Sequence, residues 1–185
     1  MTVGVTALGF VETRSIARGM EVADAMAKTA DVDLRIAMPT CPGKYLVAVS
    51  GLVAAVRQAV EAGVRTASDT LTDHTVIPSV HEDVVPALGA VSSVDQVESL
   101  GVIETFTMPA AVIAADQAVK TAQVRLLEVR LGRGLAGKAF VVLTGQVAAV
   151  RAAVAAGAKA VSEQALVLGT TVIPSPHPQV VEHIL

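Results

Sequence analysis

This chain repeats itself. Leu8-Gly9-Phe10-Val11-Glu12-Thr13 matches Leu100-Gly101-Val102-Ile103-Glu104-Thr105 at an offset of 92, and Lys28-Thr29-Ala30 matches Lys120-Thr121-Ala122 at the same offset. Gly43-Lys44 pairs with Gly137-Lys138 at an offset of 94, and the run Val53 to Arg57 recurs unchanged as Val147 to Arg151. Thr75 to Ser79 then recurs as Thr171 to Ser175 at an offset of 96. Over these stretches 32 of 68 aligned positions are identical, too many in one order to come from shared helix-forming composition. The chain is therefore a duplication, and whatever one copy folds into the other must also reach. The two-residue steps in offset fall before Gly137 and between Gly157 and Thr171, where loops absorb length changes.

One copy reads as a short series of elements. Leu8 to Thr13 is an apolar run bounded by charge, a strand. Ile16, Met20, Ala23, Ala27 and Ala30 follow at helical spacing. Val32, Leu34, Ile36 and Met38 alternate with Asp33, Arg35 and Ala37, which predicts a strand with one packed and one wetter face. Pro39 to Lys44 punctuates it as a loop. Tyr45 to Ser50 is the next strand, and Leu52 to Arg65 a second amphipathic helix. Val76-Ile77-Pro78 is the last strand, with a tail helix from about His81 to Leu88. The unit is βαββαβ with a tail, the order of a ferredoxin-like α/β (α+β) fold, which predicts a mainly antiparallel four-stranded sheet with helices on one face. The small, polar stretch Gly89 to Ser99 separates the copies, which places the domains at 1–90 and 98–185.

Composition bears on where such a chain lives. It is 52% hydrophobic and 17% charged, against roughly 25% charged in an average soluble protein. No stretch approaches the roughly 20 uninterrupted apolar residues of a membrane span, and Met1 to Arg14 has no secretion pattern, so a cytosolic protein is expected. Small domains leave much apolar surface uncovered, which predicts burial between subunits. A net charge of −3, no Trp, one Tyr and three Phe argue against nucleic-acid binding, which needs phosphate neutralisation and stacking platforms.

The order of three landmarks, present twice, resembles the bacterial microcompartment shell-protein domain. They are Gly-x-x-Glu-Thr (Gly9, Glu12, Thr13; Gly101, Glu104, Thr105), the helix ending Lys-Thr-Ala (Lys28 to Ala30; Lys120 to Ala122), and Gly-Lys (Gly43-Lys44; Gly137-Lys138). The resemblance covers nearly the whole chain. It implies a structural protein and no enzyme, residing in the microcompartment shell within the cytoplasm. Tandem members of this family form homotrimers that mimic six-domain hexagonal tiles, join other shell proteins, and pass small metabolites through a central pore. The pore loops here would be Pro39, Thr40, Cys41, Pro42 and Gly43 from one copy and Gly132, Arg133, Gly134, Leu135 and Ala136 from the other. One departure is the end of each copy. Many single-domain relatives have Pro-Arg-Pro-His, but this chain has Pro78-Ser79-Val80-His81 and Pro174-Ser175-Pro176-His177, so an arginine used at tile edges is absent.

Each singled-out residue also has a plainer reading. Cys41 is the only cysteine, and one cysteine makes no metal motif; by spacing alone it is a small loop thiol. The Thr40-Cys41-Pro42-Gly43-Lys44 run is similar to a cysteine-bearing pore loop in tandem members of the family, which implies a [4Fe-4S] cluster on a threefold axis. Three copies would there supply three thiolates, with water or a small ligand at the fourth iron. Lys28 and Lys120 follow Asp24 and Asp116 by four residues, a helix-surface pair worth about 0.2–0.5 kcal/mol; the resemblance implies that both lysines lie at tile edges. Gly132 to Gly137 lacks the phosphate-cradling pattern, because Ala139 follows Lys138. Arg133 is either a solvated loop residue or a source of field for anionic metabolites. His81 and His177 recur where a tail helix starts and have no metal-ligand spacing. Glu12 and Glu104 occupy the same strand position in each copy, as duplicated scaffold, and nothing gathers a nucleophile, a base and an orienting group. The rival from another class is a trimeric cytosolic regulator that binds a metabolite between subunits; an enzyme is the third choice.

Overall fold

A computed structural model describes residues 7–89, 96–132, 134–163 and 166–184. The described residues divide into two compact units, one over Met1–Val80 with Gly132–Gly137, the other over His81–Leu131 with Lys138–Leu185.

The first unit runs β1 (Ala7–Thr13), α1 (Ile16–Thr29), β2 (Asp33–Thr40), β3 (Lys44–Gly51), α2 (Val53–Ala67), a single 3-10 turn and β4 (Leu71–Pro78). All pairings are antiparallel, and the order across the sheet is β2-β3-β1-β4. This is the ferredoxin-like arrangement that βαββαβ predicts. Helices α1 and α2 pack on each other and on β1 and β3, and Val11, Val22, Met26, Val47, Val49, Val56 and Val60 fill the space between. Each helix starts where the sequence offers a reason. Ser15 takes the N-cap of α1 and its hydroxyl accepts from Arg18 N–H. Thr13 Oγ1 donates to Ser15 O at 2.9 Å, which ties the end of β1 to that cap.

Gly9 is needed on β1 because α2 comes so close. A Cβ there would lie 2.5 Å from Val60 Cγ2 and 2.7 Å from Val56 Cγ1. Gly101 repeats this in the second unit, 2.7 Å from Val154 Cγ2 and 2.8 Å from Val150 Cγ1. The recurring glycine thus sets how near the second helix of each copy lies to the central strand.

The second unit contains α3 (Val84–Leu88), β5 (Ser99–Thr105), α4 (Met108–Thr121), β6 (Arg125–Leu131), β7 (Ala139–Gly145), α5 (Val147–Ser162), β8 (Val167–Ile173) and α6 (Pro178–Glu182). Its sheet order is β6-β7-β5-β8, again antiparallel throughout. Thr107 caps α4 as Ser15 caps α1, accepting from Ala110 N–H, with Pro109 inside the first turn. On the sheet face away from α4 and α5, Leu100, Leu127 and Val142 form a second cluster with Phe140, Val97 and Ile184.

The sequence copies and the compact units divide the chain differently. The tail helix α3 ends the first copy, yet packs on β6 in the second unit. Residues 132–137, in the second copy, belong to the first unit.

Two strand expectations change. Alternation puts Leu34 on the packed face of β2, but the register shifts between Leu34 and Ile36 and Leu34 is 45% exposed. β4 begins at Leu71 instead of Val76, because Thr72, Asp73, His74 and Thr75 lie on an edge strand whose side chains alternate outward. Their polarity hid a strand held by backbone pairing to β1.

Candidate functional site

The β2–β3 hairpin carries the cysteine. Pro39 and Thr40, expected in the loop, are the last residues of β2, paired with Tyr45 and Lys44 of β3. An edge strand tolerates Pro39, whose missing N–H breaks no ladder. The connection is therefore Cys41, Pro42 and Gly43, closed by a Gly43 N–H to Thr40 O hydrogen bond of 3.0 Å. The Cys41–Pro42 peptide is cis and Gly43 has φ +85°. The thiol of Cys41 is free and exposed. Thr40 is buried, and its Oγ1 has no hydrogen-bond partner among the described residues.

The second glycine-rich loop shares a compact unit with this hairpin. Cys41 N–H donates to Gly132 O at 3.1 Å. Gly137, at φ +86°, sits so that a Cβ would be 3.1 Å from Pro42 Cδ and 3.2 Å from Cys41 O. Gly134 and Ala136 also have positive φ, and Leu135 lies between them. Arg133 lies outside the described residues, so the charge proposed for it has no geometry here.

Glycine-lysine landmarks have a partner that sequence reading missed. Lys44 Nζ pairs with Glu12 Oε1, and the Glu12 side chain is wholly buried. Lys138 Nζ pairs with Glu104 Oε1 at 2.7 Å. The glutamate of Gly-x-x-Glu-Thr is thus the counter-ion of the Gly-Lys lysine, and the two landmarks are one structural device, made twice. Their joint recurrence was the available signal. Paired this way, both lysines hold the base of a loop in place and have their charge matched locally.

The other recurring residues separate. Lys28 Nζ donates to Asp24 Oδ2 at 2.7 Å and Lys120 Nζ to Asp116 Oδ2 at 2.6 Å. Asp24 and Lys28 are both exposed, whereas the Asp116 side chain is 2% exposed and its Oδ1 also accepts from His81 N–H at 2.9 Å. His81 Nδ1 accepts from Asp83 N–H, and His177 Nδ1 from Gln179 N–H. His177 is the N-cap of α6, whereas α3 starts only at Val84 with Asp83 as its N-cap, so His81 closes the turn before that helix.

A cluster-type cofactor can be tested against these residues. No group of three or more His, Cys, Asp or Glu that could hold a metal gathers among the described residues, and Cys41 is the one cysteine in the sequence. An exposed thiol at the tip of a tied hairpin fits a site completed by other copies of the chain.

Two antiparallel ferredoxin-like units, each with the same glycine and Glu–Lys device, define a tandem α/β protein built from one repeated domain. The BMC domain model matches residues 7–80 and again 99–176. The chain is 41% identical to the bacterial microcompartment shell protein PduT of Citrobacter freundii over 171 residues, covering 92% of this chain and 93% of that protein. It is 34% identical to the carboxysome assembly protein CcmO of Synechococcus elongatus over 183 residues, covering 92% of this chain and 65% of that one. A crystal structure of a microcompartment protein from Desulfitobacterium hafniense superposes with a TM-score of 0.89 at 46% identity, covering 97% of this chain and 99% of that one. A fused permuted hexameric shell protein of the RMM microcompartment shares the fold, with a TM-score of 0.65 at 20% identity and coverage of 85% and 82%. The chain belongs to the BMC-domain family of microcompartment shell proteins, in tandem form. That is a structural family, not an enzyme family. Among the described residues no helix is long and apolar enough to cross a membrane.

Proposed function

We propose that three copies of this chain close a ring of six BMC domains, a pseudo-hexagonal tile of a microcompartment shell, with the Cys41 and Gly132–Gly137 loops around the central opening. The observation that carries this reading is the pairing of the two loops in one compact unit, with Cys41 N–H on Gly132 O, in a chain 41% identical to a shell protein along nearly its whole length. Pro39, Thr40, Cys41, Pro42 and Gly43 line the opening with Gly132, Arg133, Gly134, Leu135 and Ala136, and small metabolites cross there passively. Lys28 and Lys120 lie at the tile edges, where the tile meets other shell proteins.

The finer reading concerns Cys41. Three copies of its exposed thiol, brought to a threefold axis, supply three thiolate ligands for a [4Fe-4S] cluster, leaving one iron for water or a small ligand. When bound, the cluster supplies one-electron transfer across the shell. The chain's own part is to hold the thiol: the hydrogen bond to Gly132 O and the close seat of Pro42 against Gly137 fix the hairpin tip.

Native mass measurement and negative-stain microscopy at high protein concentration test the tile: trimers and flat sheets are expected. A stable monomer overturns it, and a discrete trimer that binds one metabolite saturably and never forms sheets favours a regulator. Anaerobic purification followed by iron and sulfide assay and EPR tests the cluster. Colourless, iron-free protein with Cys41 intact overturns that part alone.

A further inference from the structure

Both sheets carry the same row of cross-strand partners, filled with different chemistry. In the first unit Met38 pairs with Leu46, Leu46 with Glu12 and Glu12 with Asp73. The second unit repeats that register as Arg130, Phe140, Glu104 and Gly169. Residues paired across antiparallel strands carry their side chains on one face. Here it is the face away from the helices, because Phe140 packs against the Leu100, Leu127 and Val142 cluster. The glutamate and its lysine are kept in both rows. At the other positions methionine becomes arginine, leucine becomes phenylalanine and aspartate becomes glycine.

The first row is closed: Leu46 and the Glu12 side chain are fully buried. The second is open in the single chain, with the side chains of Arg130, Lys138 and Glu104 exposed by 52%, 41% and 37%. A Cβ on Gly169 would meet nothing within 4 Å, so free space lies beside Glu104 where the first row has a carboxylate. The Arg130 guanidinium leans over β7, its Cζ 5.3 Å from the centre of the Phe140 ring, and the attraction of cation and ring holds it there. Its Nε donates to Glu128 Oε1, which leaves Nη1 and Nη2 without a partner among the described residues. Lys138 Nζ donates to Glu104 and keeps further N–H groups for another acceptor.

We infer that this row of the second domain binds a small hydroxy-carboxylate. The two terminal nitrogens of Arg130 suit the paired oxygens of a carboxylate, and Lys138 adds charge on the same side. Glu104 only accepts, so it selects a ligand that brings a hydroxyl. Arg130 and Glu104 stand two strands apart, about 10 Å at the backbone, and their side chains shorten that gap to the reach of a ligand of a few carbons lying over Phe140. The first domain cannot form the site, because Met38 offers no donor and the carboxylate of Asp73 repels an anion. The site lies within one domain and needs no ring. On the tile reading, three such sites stand at the feet of the Gly132–Gly137 loops and gather anionic metabolites beside the opening.

The test is saturation-transfer NMR on full-length protein at neutral pH, with lactate, lactamide and propionate as probes. Lactate is expected to bind saturably in the millimolar range, propionate more weakly for want of the hydroxyl, and lactamide not at all. Arg130→Gln, a change at an exposed side chain, is expected to weaken lactate by about tenfold or more, the loss of charge-assisted hydrogen bonds. Gly169→Asp, which restores the residue of the first copy, is expected to abolish binding, with circular dichroism and native mass as in wild type. Lactate that never saturates, lactamide bound as tightly as lactate, or Arg130→Gln binding lactate as wild type does overturns the inference. None of these outcomes touches the tile, which stands or falls on native mass and sheet formation.

Discussion

Lys44 Nζ meets a Glu12 carboxylate that solvent does not reach, while the equivalent pair of Lys138 and Glu104 has both partners more than a third exposed. Removing one partner of a buried ion pair costs about 3–5 kcal/mol. An exposed pair is worth about 0–1 kcal/mol. Lys44→Ala is therefore expected to lower the stability in urea by about 3 kcal/mol, and Lys138→Ala by less than about 1 kcal/mol. Equal midpoints for the two variants would show that the duplicated pairs are energetically alike in spite of their burial.

Gly9 offers a second measurement. An alanine methyl there would sit 2.5 Å from Val60 Cγ2, inside any tolerated contact, so α2 must move off β1. Overpacking of this kind costs about 1–3 kcal/mol. Gly9→Ala is expected to lose that much by chemical denaturation, and the double change Gly9→Ala with Val60→Ala to lose less than the sum of the two single losses, because the nearer clashing methyl group, Val60 Cγ2, is gone while Val56 Cγ1 stays. A double variant less stable than the sum of the two single losses would mean that the clash is not the cause.

Much of this was legible in the residues because the duplication gave every element two witnesses. The strand at Leu8, the helix from Ile16 and the Gly-Lys strand follow from apolar spacing, and the βαββαβ order was enough for the sheet. What periodicity could not supply was pairing between distant positions. Nothing at Glu12 says that its partner is 32 residues on, and nothing in Val84 says which sheet a five-residue helix will cover. Leu34 shows the limit from the other side: alternation placed it inward, but a register shift beside it leaves the side chain out. For the site, Cys41-Pro42-Gly43 was readable as a turn, whereas the hydrogen bond to Gly132 depends on how a later segment returns to the hairpin.

The matched lysines of the two copies should also behave differently. Lys28 and Asp24 are both solvated, and their pair at helix spacing is worth about 0.2–0.5 kcal/mol. Asp116 is buried and receives both Lys120 and the His81 backbone. Lys28→Ala is expected to leave the thermal midpoint almost unchanged, and Lys120→Ala to lower it clearly, by the cost of a buried carboxylate that keeps one donor of two. If the two lysines also lie at tile edges, Lys28→Ala separates the roles: trimers persist by native mass while sheets disappear by microscopy. Sheets as extensive as those of wild type would remove Lys28 from the edge.

Gly43 and Gly137 both have φ near +85°, but only one of them is crowded, and this difference bears on the thiol. A Cβ on Gly43 would have nothing within 4 Å, so Gly43→Ala meets only the backbone penalty of a left-handed residue, about 1–2 kcal/mol. A Cβ on Gly137 meets the same penalty and also lies 3.1 Å from Pro42 Cδ and 3.2 Å from Cys41 O. The hairpin must then shift, and the Cys41 N–H bond to Gly132 O is the contact that shift loosens. Gly137→Ala is therefore expected to change the rate at which a maleimide labels Cys41, severalfold, whereas Gly43→Ala changes stability with labelling nearly as in wild type. The rate is measured on native protein well below its unfolding midpoint, so that loss of stability alone does not expose the thiol. Labelling moved equally by both substitutions would mean that the glycine-rich segment does not hold the cysteine in place, and that the hairpin positions it unaided.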